Sequence, residues 1–143
     1  MAAALRRYVR FPMPARSPPS TGAAPLTFDQ FFRWLQDHRN CVVRAGSADV
    51  MLMDSELTHW DFFDEDDGRA VCQLILGKAL VGEILIERSD VLFVQASPDI
   101  EQAQAGHWMF ECFGGPKDDA YPVFVFVLSH GMETVQGHAA LKH

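Results

Sequence analysis

Seven carboxylates crowd into the fourteen residues from Asp54 to Asp67: Asp54, Glu56, Asp61, Asp64, Glu65, Asp66 and Asp67, with no lysine or arginine among them. Acids at this density bind a cation, meet a basic partner or stay hydrated. A calcium loop of the helix–loop–helix type needs oxygen ligands at alternate positions, glycine at the sixth and a bidentate acid at the twelfth. Setting Gly68 at the sixth position puts Phe63 at the first and Leu74 at the twelfth, so that site is excluded and no metal is expected. Two readings stay open. The acids form a solvated hairpin tip, as polar turns do, or they form a docking surface for a positively charged protein. Trp60, Phe62 and Phe63 stand among them, and aromatics beside charge are favoured in binding surfaces. The candidate binding set is therefore Asp54, Glu56, Trp60, Asp61, Asp64, Glu65, Asp66 and Asp67. Trp60, Phe62 or Phe63 would supply the apolar anchor.

Thiols and imidazoles offer the other chemistry. A cysteine nucleophile needs a histidine within reach to take its proton. Cys112 lies in a strand-like segment near His107, and His130 ends the last such segment. Neighbouring strands would bring them together. Cys112 also shares its strand face with Trp108 and Phe110, which reads as core, and a buried cysteine behaves as a small hydrophobe. Cys41 and Cys72 sit in apolar strand segments and read the same way. No catalytic residue is expected; a small cysteine-dependent enzyme using Cys112 with His107 or His130 is the alternative. There is no CxxC pair and no Cys/His ladder of zinc spacing.

Two short stretches resemble parts of known families. Val123-Phe124-Val125-Phe126-Val127-Leu128-Ser129-His130-Gly131 resembles the apolar strand that delivers the catalytic histidine in caspases. That resemblance implies a cysteine further on, in a Gln-Ala-Cys-x-Gly signature, and none of the twelve residues after Gly131 is cysteine. His130 then reads as a strand-end residue. Arg6-Arg7-Tyr8-Val9-Arg10 resembles the RxxxR arm of PilZ domains, which bind a cyclic dinucleotide. Their second element, Asp/Asn-x-Ser-x-x-Gly, is absent, so no nucleotide and no other cofactor is expected. Gly114-Gly115-Pro116 lacks the context of a phosphate loop. Met51 and Met53, alternating with Leu52, read as packing.

Composition narrows the class. A 143-residue chain that is 48% apolar, with 11 Phe and 3 Trp, can bury a core without disulfides or a metal. Three widely spaced cysteines argue for reduced thiols and a cytoplasmic setting. No apolar run approaches the roughly 20 residues that cross a bilayer, so no membrane partner is expected. The formal charge of -7 hides an asymmetry. Residues 1–25 hold Arg6, Arg7, Arg10 and Arg16 and no acid, which leaves the remainder at -11. Such a body is ill suited to nucleic acid. It suits a basic protein partner, or it serves solubility alone.

The elements that must position these groups follow from periodicity. Residues 1–25, with Pro12, Pro14, Pro18, Pro19 and Pro25, are expected to be a disordered basic tail. Arg-rich, acid-free composition is also that of organellar transit peptides, and Met13 would serve as a later start. Residues 26–130 are expected to form a single α+β domain and 131–143 a frayed tail. Thr27 and Gln30 have the spacing of a capping box. Phe28, Phe31, Phe32 and Leu35 then form one apolar stripe, predicting a helix over about 28–39. Beyond Asn40 the period falls to two. Strands are expected over 41–45, 50–53, 59–63, 69–76, 79–87, 91–96, 107–113 and 123–128, with Asp67-Gly68 as a hairpin turn. Ser97-Pro98-Asp99 reads as a cap opening a short second helix near 98–105. The expected architecture is one N-terminal helix on a single curved, mostly antiparallel sheet. The expected function is a small acidic, non-enzymatic protein-binding module of inhibitor, immunity or chaperone type. An exposed strand edge would be its route to a homo-oligomer.

Overall fold

The computed structural model describes residues 24–100 and 106–132. Helix α1 runs Phe28–Asp37 and begins on the capping box. Thr27 Oγ1 accepts from the Gln30 amide at 3.1 Å, and Gln30 Oε1 accepts from the Thr27 amide at 3.0 Å. The helix stops short of residue 39. The His38 amide donates to the Leu35 carbonyl, and the chain tightens into a 3-10 turn at Arg39–Cys41. Cys41 thus belongs to a turn rather than a strand. The buried arc is Phe28, Phe31, Phe32, Trp34 and Leu35, one aromatic wider than the stripe in the sequence.

Eight strands follow among the described residues: β1 Val42–Ser47, β2 Met51–Met53, β3 Thr58–Asp64, β4 Ala70–Leu76, β5 Ala79–Ile86, β6 Phe93–Pro98, β7 Trp108–Gly114 and β8 Tyr121–Leu128. All pair antiparallel, which with α1 makes the protein α+β. They form two sheets instead of the single one expected: a five-stranded sheet in the order β2-β1-β8-β7-β6 and a three-stranded sheet in the order β3-β4-β5. The reason lies in the helix. Phe31 and Phe32 are successive, hence about 100° apart around the axis, and one wall cannot cover both. Phe31 lies 5.1 Å from Phe110 and 5.3 Å from Phe126 on the five-stranded sheet. Phe32 meets Phe62 of the three-stranded sheet edge-on at 6.3 Å.

Strand β8 is central, as its two-sided apolarity requires, with β1 and β7 beside it. Ala45, Phe126, Phe110 and Ala96 form one row across β1, β8, β7 and β6. The small residues at its ends leave room for α1. Leu26 adds a bridge to Val94, with both amides bonded at 2.9 and 2.8 Å. Met132 packs against the core at the other end.

Two local expectations change. Strand β6 continues through Ser97 to Pro98, opposite Trp108, so these residues end a strand rather than cap a helix. Proline is tolerated there because β6 is an edge strand. The short helix expected near 98–105 falls largely on 101–105, outside the described residues, as do most of the two tails. Met51 and Met53 are exposed on edge strand β2 and do not pack inward. No helix among the described residues is long and apolar enough to cross a membrane.

Because Phe32 is fully buried at the junction of helix and small sheet, Phe32→Ala should cost roughly 3–5 kcal/mol. Thr27→Ala, which removes one cap bond, should cost about 1 kcal/mol. Chemical denaturation reads both. A Phe32→Ala loss below that of the cap variant would place the core elsewhere.

Candidate functional site

The acids are organised by hairpin β3–β4. Its turn is Glu65-Asp66-Asp67-Gly68, closed by the Gly68 amide on the Glu65 carbonyl at 2.8 Å, with the Glu65 amide on the Arg69 carbonyl at 2.9 Å. Among the described residues no non-glycine residue has positive φ, which excludes a type I′ turn at Asp66-Asp67. The left-handed step falls on Gly68, at φ 91°, where a side chain would be strained.

Strand β3 separates the acids into two groups. Asp54 and Glu56 occupy the corner before it, Asp64 ends it, and Glu65, Asp66 and Asp67 occupy the turn after it. At about 3.3 Å per residue the two ends of this strand stand roughly 20 Å apart. Asp61 lies between them, in register with Gln73 and Glu83 on the solvent face of the small sheet. What reads in sequence as one patch is a line of charge along β3.

The turn also acquires counter-charges that the acid stretch itself lacks. Arg69 contacts Asp67 at 2.9 Å, Glu65 at 3.1 Å and Glu87 at 4.0 Å. The Arg69 amide and guanidinium hold the Asp67 carboxyl below its usual range. Arg88 donates to Asp64 at 2.7 Å, to the Gly68 carbonyl at 2.6 Å and to Asp29 of α1 at 2.8 Å, with its guanidinium 5.6 Å from the Phe28 and Phe32 rings. Arg39 stands 3.9 Å from Asp61, a solvent-exposed pair worth little. Asp54 accepts from the Thr58 hydroxyl at 3.3 Å. Among the described residues no cation pairs with Asp54, Glu56 or Asp66. Sequence reading missed both arginines. The signal was present for Arg69, since a turn ending at Gly68 folds it back over Glu65.

Trp60 is corrected from surface anchor to core. It is 3% exposed, stacks on Phe62 at 5.8 Å and gives its indole N–H to the Val42 carbonyl at 3.0 Å. Phe62 is buried as well, and Phe63 is half-buried. The exposed apolar groups of the small sheet stand elsewhere, on β5 with Leu80 at 54%, Val81 at 52% and Leu85 at 43%, and at the end of β4 with Leu76 at 45%. Leu85 shares its row with Phe63, and Leu80 shares its row with His59 and Ile75.

No known protein family, curated protein or solved structure matches this chain. The geometry alone must therefore weigh the thiol chemistry. Cys112 is fully buried in mid-sheet, between Phe124 and Val94. His107 and His130 both lie beyond the row Trp108↔Leu128, which is four residues or roughly 13 Å along the strand. His130 instead joins an aromatic group, 5.8 Å from Trp34 and 5.3 Å from His38. Burial pushes the Cys112 thiol well up, and burial followed by the neighbouring Cys112 thiol does the same to Cys72. The strands do not assemble the thiol–imidazole pair. No group of three or more metal-ligating side chains occurs among the described residues.

In the native protein a thiol reagent should label half-buried Cys41 and reach Cys72 and Cys112 only on unfolding; rapid labelling of Cys112 would contradict its burial. The raised thiols also set an alkaline limit. The folded state holds both protons more tightly than the unfolded chain, so this contribution is complete below the ordinary value of 9.0 and is lost as pH rises above it. With two thiols the loss should approach roughly 2.7 kcal/mol per pH unit. Denaturation from pH 8 to 11 should show a shallower slope in a Cys72→Ala/Cys112→Ala variant.

Proposed function

We propose that the protein is a non-enzymatic binding module, of inhibitor, immunity or chaperone type, that engages a basic protein partner in the cytoplasm. The contact surface is the acidic line along β3 with the solvent face of the small sheet. The observation that carries this reading is the set of carboxylates left without a cation. Asp54 and Glu56 stand at one end of β3 and Asp66 at the other, with Asp61 and Glu83 between. No ion pair among the described residues involves the first three, and the one hydroxyl that Asp54 accepts, from Thr58, an asparagine side-chain oxygen can also accept. A cationic partner would relieve their mutual repulsion and associate faster at low ionic strength. Exposed Leu80 and Leu85 supply the apolar contact that charge alone does not provide.

The test separates partner binding from hairpin integrity. Asp64, Glu65 and Asp67 hold Arg88 and Arg69 and are left intact. A variant carrying Asp54→Asn, Glu56→Gln and Asp66→Asn should keep its melting temperature and lose partners that the parent protein captures from its own cell lysate at low salt. An unchanged partner profile with unchanged salt sensitivity would reduce the acids to solvating groups.

A further inference from the structure

We infer that a pocket at one end of the larger sheet takes a guanidinium group, the side chain of an arginine in a bound protein. The pocket shares no residue with the acidic line along β3, and the inference goes beyond the reading of that line. Its volume is about 410 Å³, and its walls include Asp90, Leu92, Gly115, Tyr121, Val123 and Phe124. That volume falls at the small end of ordinary ligand sites.

Two glycines shape the pocket. Strand β7 lies between β6 and β8, so the starts of β6 and β8 flank the end of β7. Gly114 is that end, and a side chain there would collide with the Asp90 carbonyl and press on Val123. Without one, the turn before β6 and the start of β8 close in over β7 from opposite sides. Leu92 holds the first of these in place, its amide donating to the Phe113 carbonyl at 2.7 Å. Gly115 has φ 85°, a conformation that side chains disfavour, and a side chain there would strike the Tyr121 ring. The ring therefore lies against Gly115, yet Tyr121 stays 54% exposed.

The chemistry of the walls selects the occupant. Asp90 supplies the carboxylate, Tyr121 an aromatic ring, and Leu92, Val123 and Phe124 an apolar surface. Asp90 is exposed and joins no ion pair among the described residues. The neighbouring cations do not fill the pocket. Arg88, two residues before Asp90, is turned to Asp29, Asp64 and the Gly68 carbonyl. Lys117 stands in the 3-10 turn Lys117–Asp119 with Asp118 and Asp119, and it does not line the pocket. With no cation in its walls, the pocket is unsuited to an anion. A guanidinium fits all three features. Its plane stacks on an aromatic ring, its fork pairs with a carboxylate, and its methylene stem lies along apolar side chains. An ammonium is more strongly hydrated and has no plane to stack.

The probe is Nα-acetyl-arginine amide, which presents the side chain as a protein does. Acetyl-citrulline amide is its uncharged twin of the same shape, and free arginine stands for a small-molecule source. Binding to the full chain is read from the NMR shifts of backbone amides at low salt. Acetyl-arginine amide should give saturable shifts at Asp90, Gly115 and Tyr121. The citrulline twin should bind at least tenfold more weakly, and free arginine no more tightly than the blocked form. Asp90→Asn and Tyr121→Leu, both at exposed positions, should each weaken binding severalfold without changing the melting temperature. Tyr121→Phe, which keeps the ring, should bind as the parent does. So should the variant with Asp54→Asn, Glu56→Gln and Asp66→Asn, whatever its partner profile. Equal binding of the citrulline twin would overturn the guanidinium assignment. Tighter binding of free arginine would overturn the protein source. Absence of shifts at the three amides, unchanged binding in Asp90→Asn or Tyr121→Leu, or loss in the triple variant would overturn the pocket itself.

Discussion

Two adjacent side chains, Phe31 and Phe32, fix how the rest of the chain is arranged. Neighbours on a helix point in different directions, so each phenylalanine needs its own wall. The first finds Phe110 and Phe126, and the second finds Phe62. Burying each is worth a few kcal/mol, which is large against the total stability of a domain this size. That requirement divides eight strands into two sheets and leaves the smaller one with a solvent face. Trp34 extends the aromatic arc toward His38 and His130, and so draws the imidazoles to one end of the larger sheet, away from Cys112.

Arg88 ties the acidic turn to this junction. Its three partners lie on α1, on β3 and in the turn after β3, and its guanidinium faces the stacked rings of Phe28 and Phe32. Each exposed ion pair is weak by itself. Their convergence on one planar group against an apolar surface gives the hairpin a fixed position on the helix. The neutralisation is incomplete by design of the chain order: Arg69 and Arg88 both follow the acid stretch and reach only its C-terminal end. Among the described residues the acids at the corner before β3 have no comparable cation.

Local features were legible in the sequence. The capping box, the Phe stripe, the turn at Gly68 and most strand limits rest on nearest-neighbour chemistry, and they stand in the structure within a few residues. What the sequence hid is long-range. Trp60 and Phe62 alternate with Asp61 and look like an acidic–aromatic surface, yet period two places both aromatics inward and only the acid outward. Whether that inward face meets a core depends on β1 and α1, which no window around residue 60 contains. The division into two sheets was hidden for the same reason, since strands β1 to β5 read as one meander until the helix is set between the walls. Arg88 was hidden by distance, standing twenty-four residues from Asp64.

The geometry of the charge also constrains the shape of what can bind. The ends of β3 are roughly 20 Å apart, while the screening length at physiological salt is about 8 Å. A compact cation near the turn would be screened from Asp54 and Glu56, and one near the corner would be screened from Asp66. Only an elongated group feels both ends. On the proposed docking reading, about six residues of extended chain lying along β3 cover the same span. A group of that length takes the charge of both ends, and a compact one takes that of one end only.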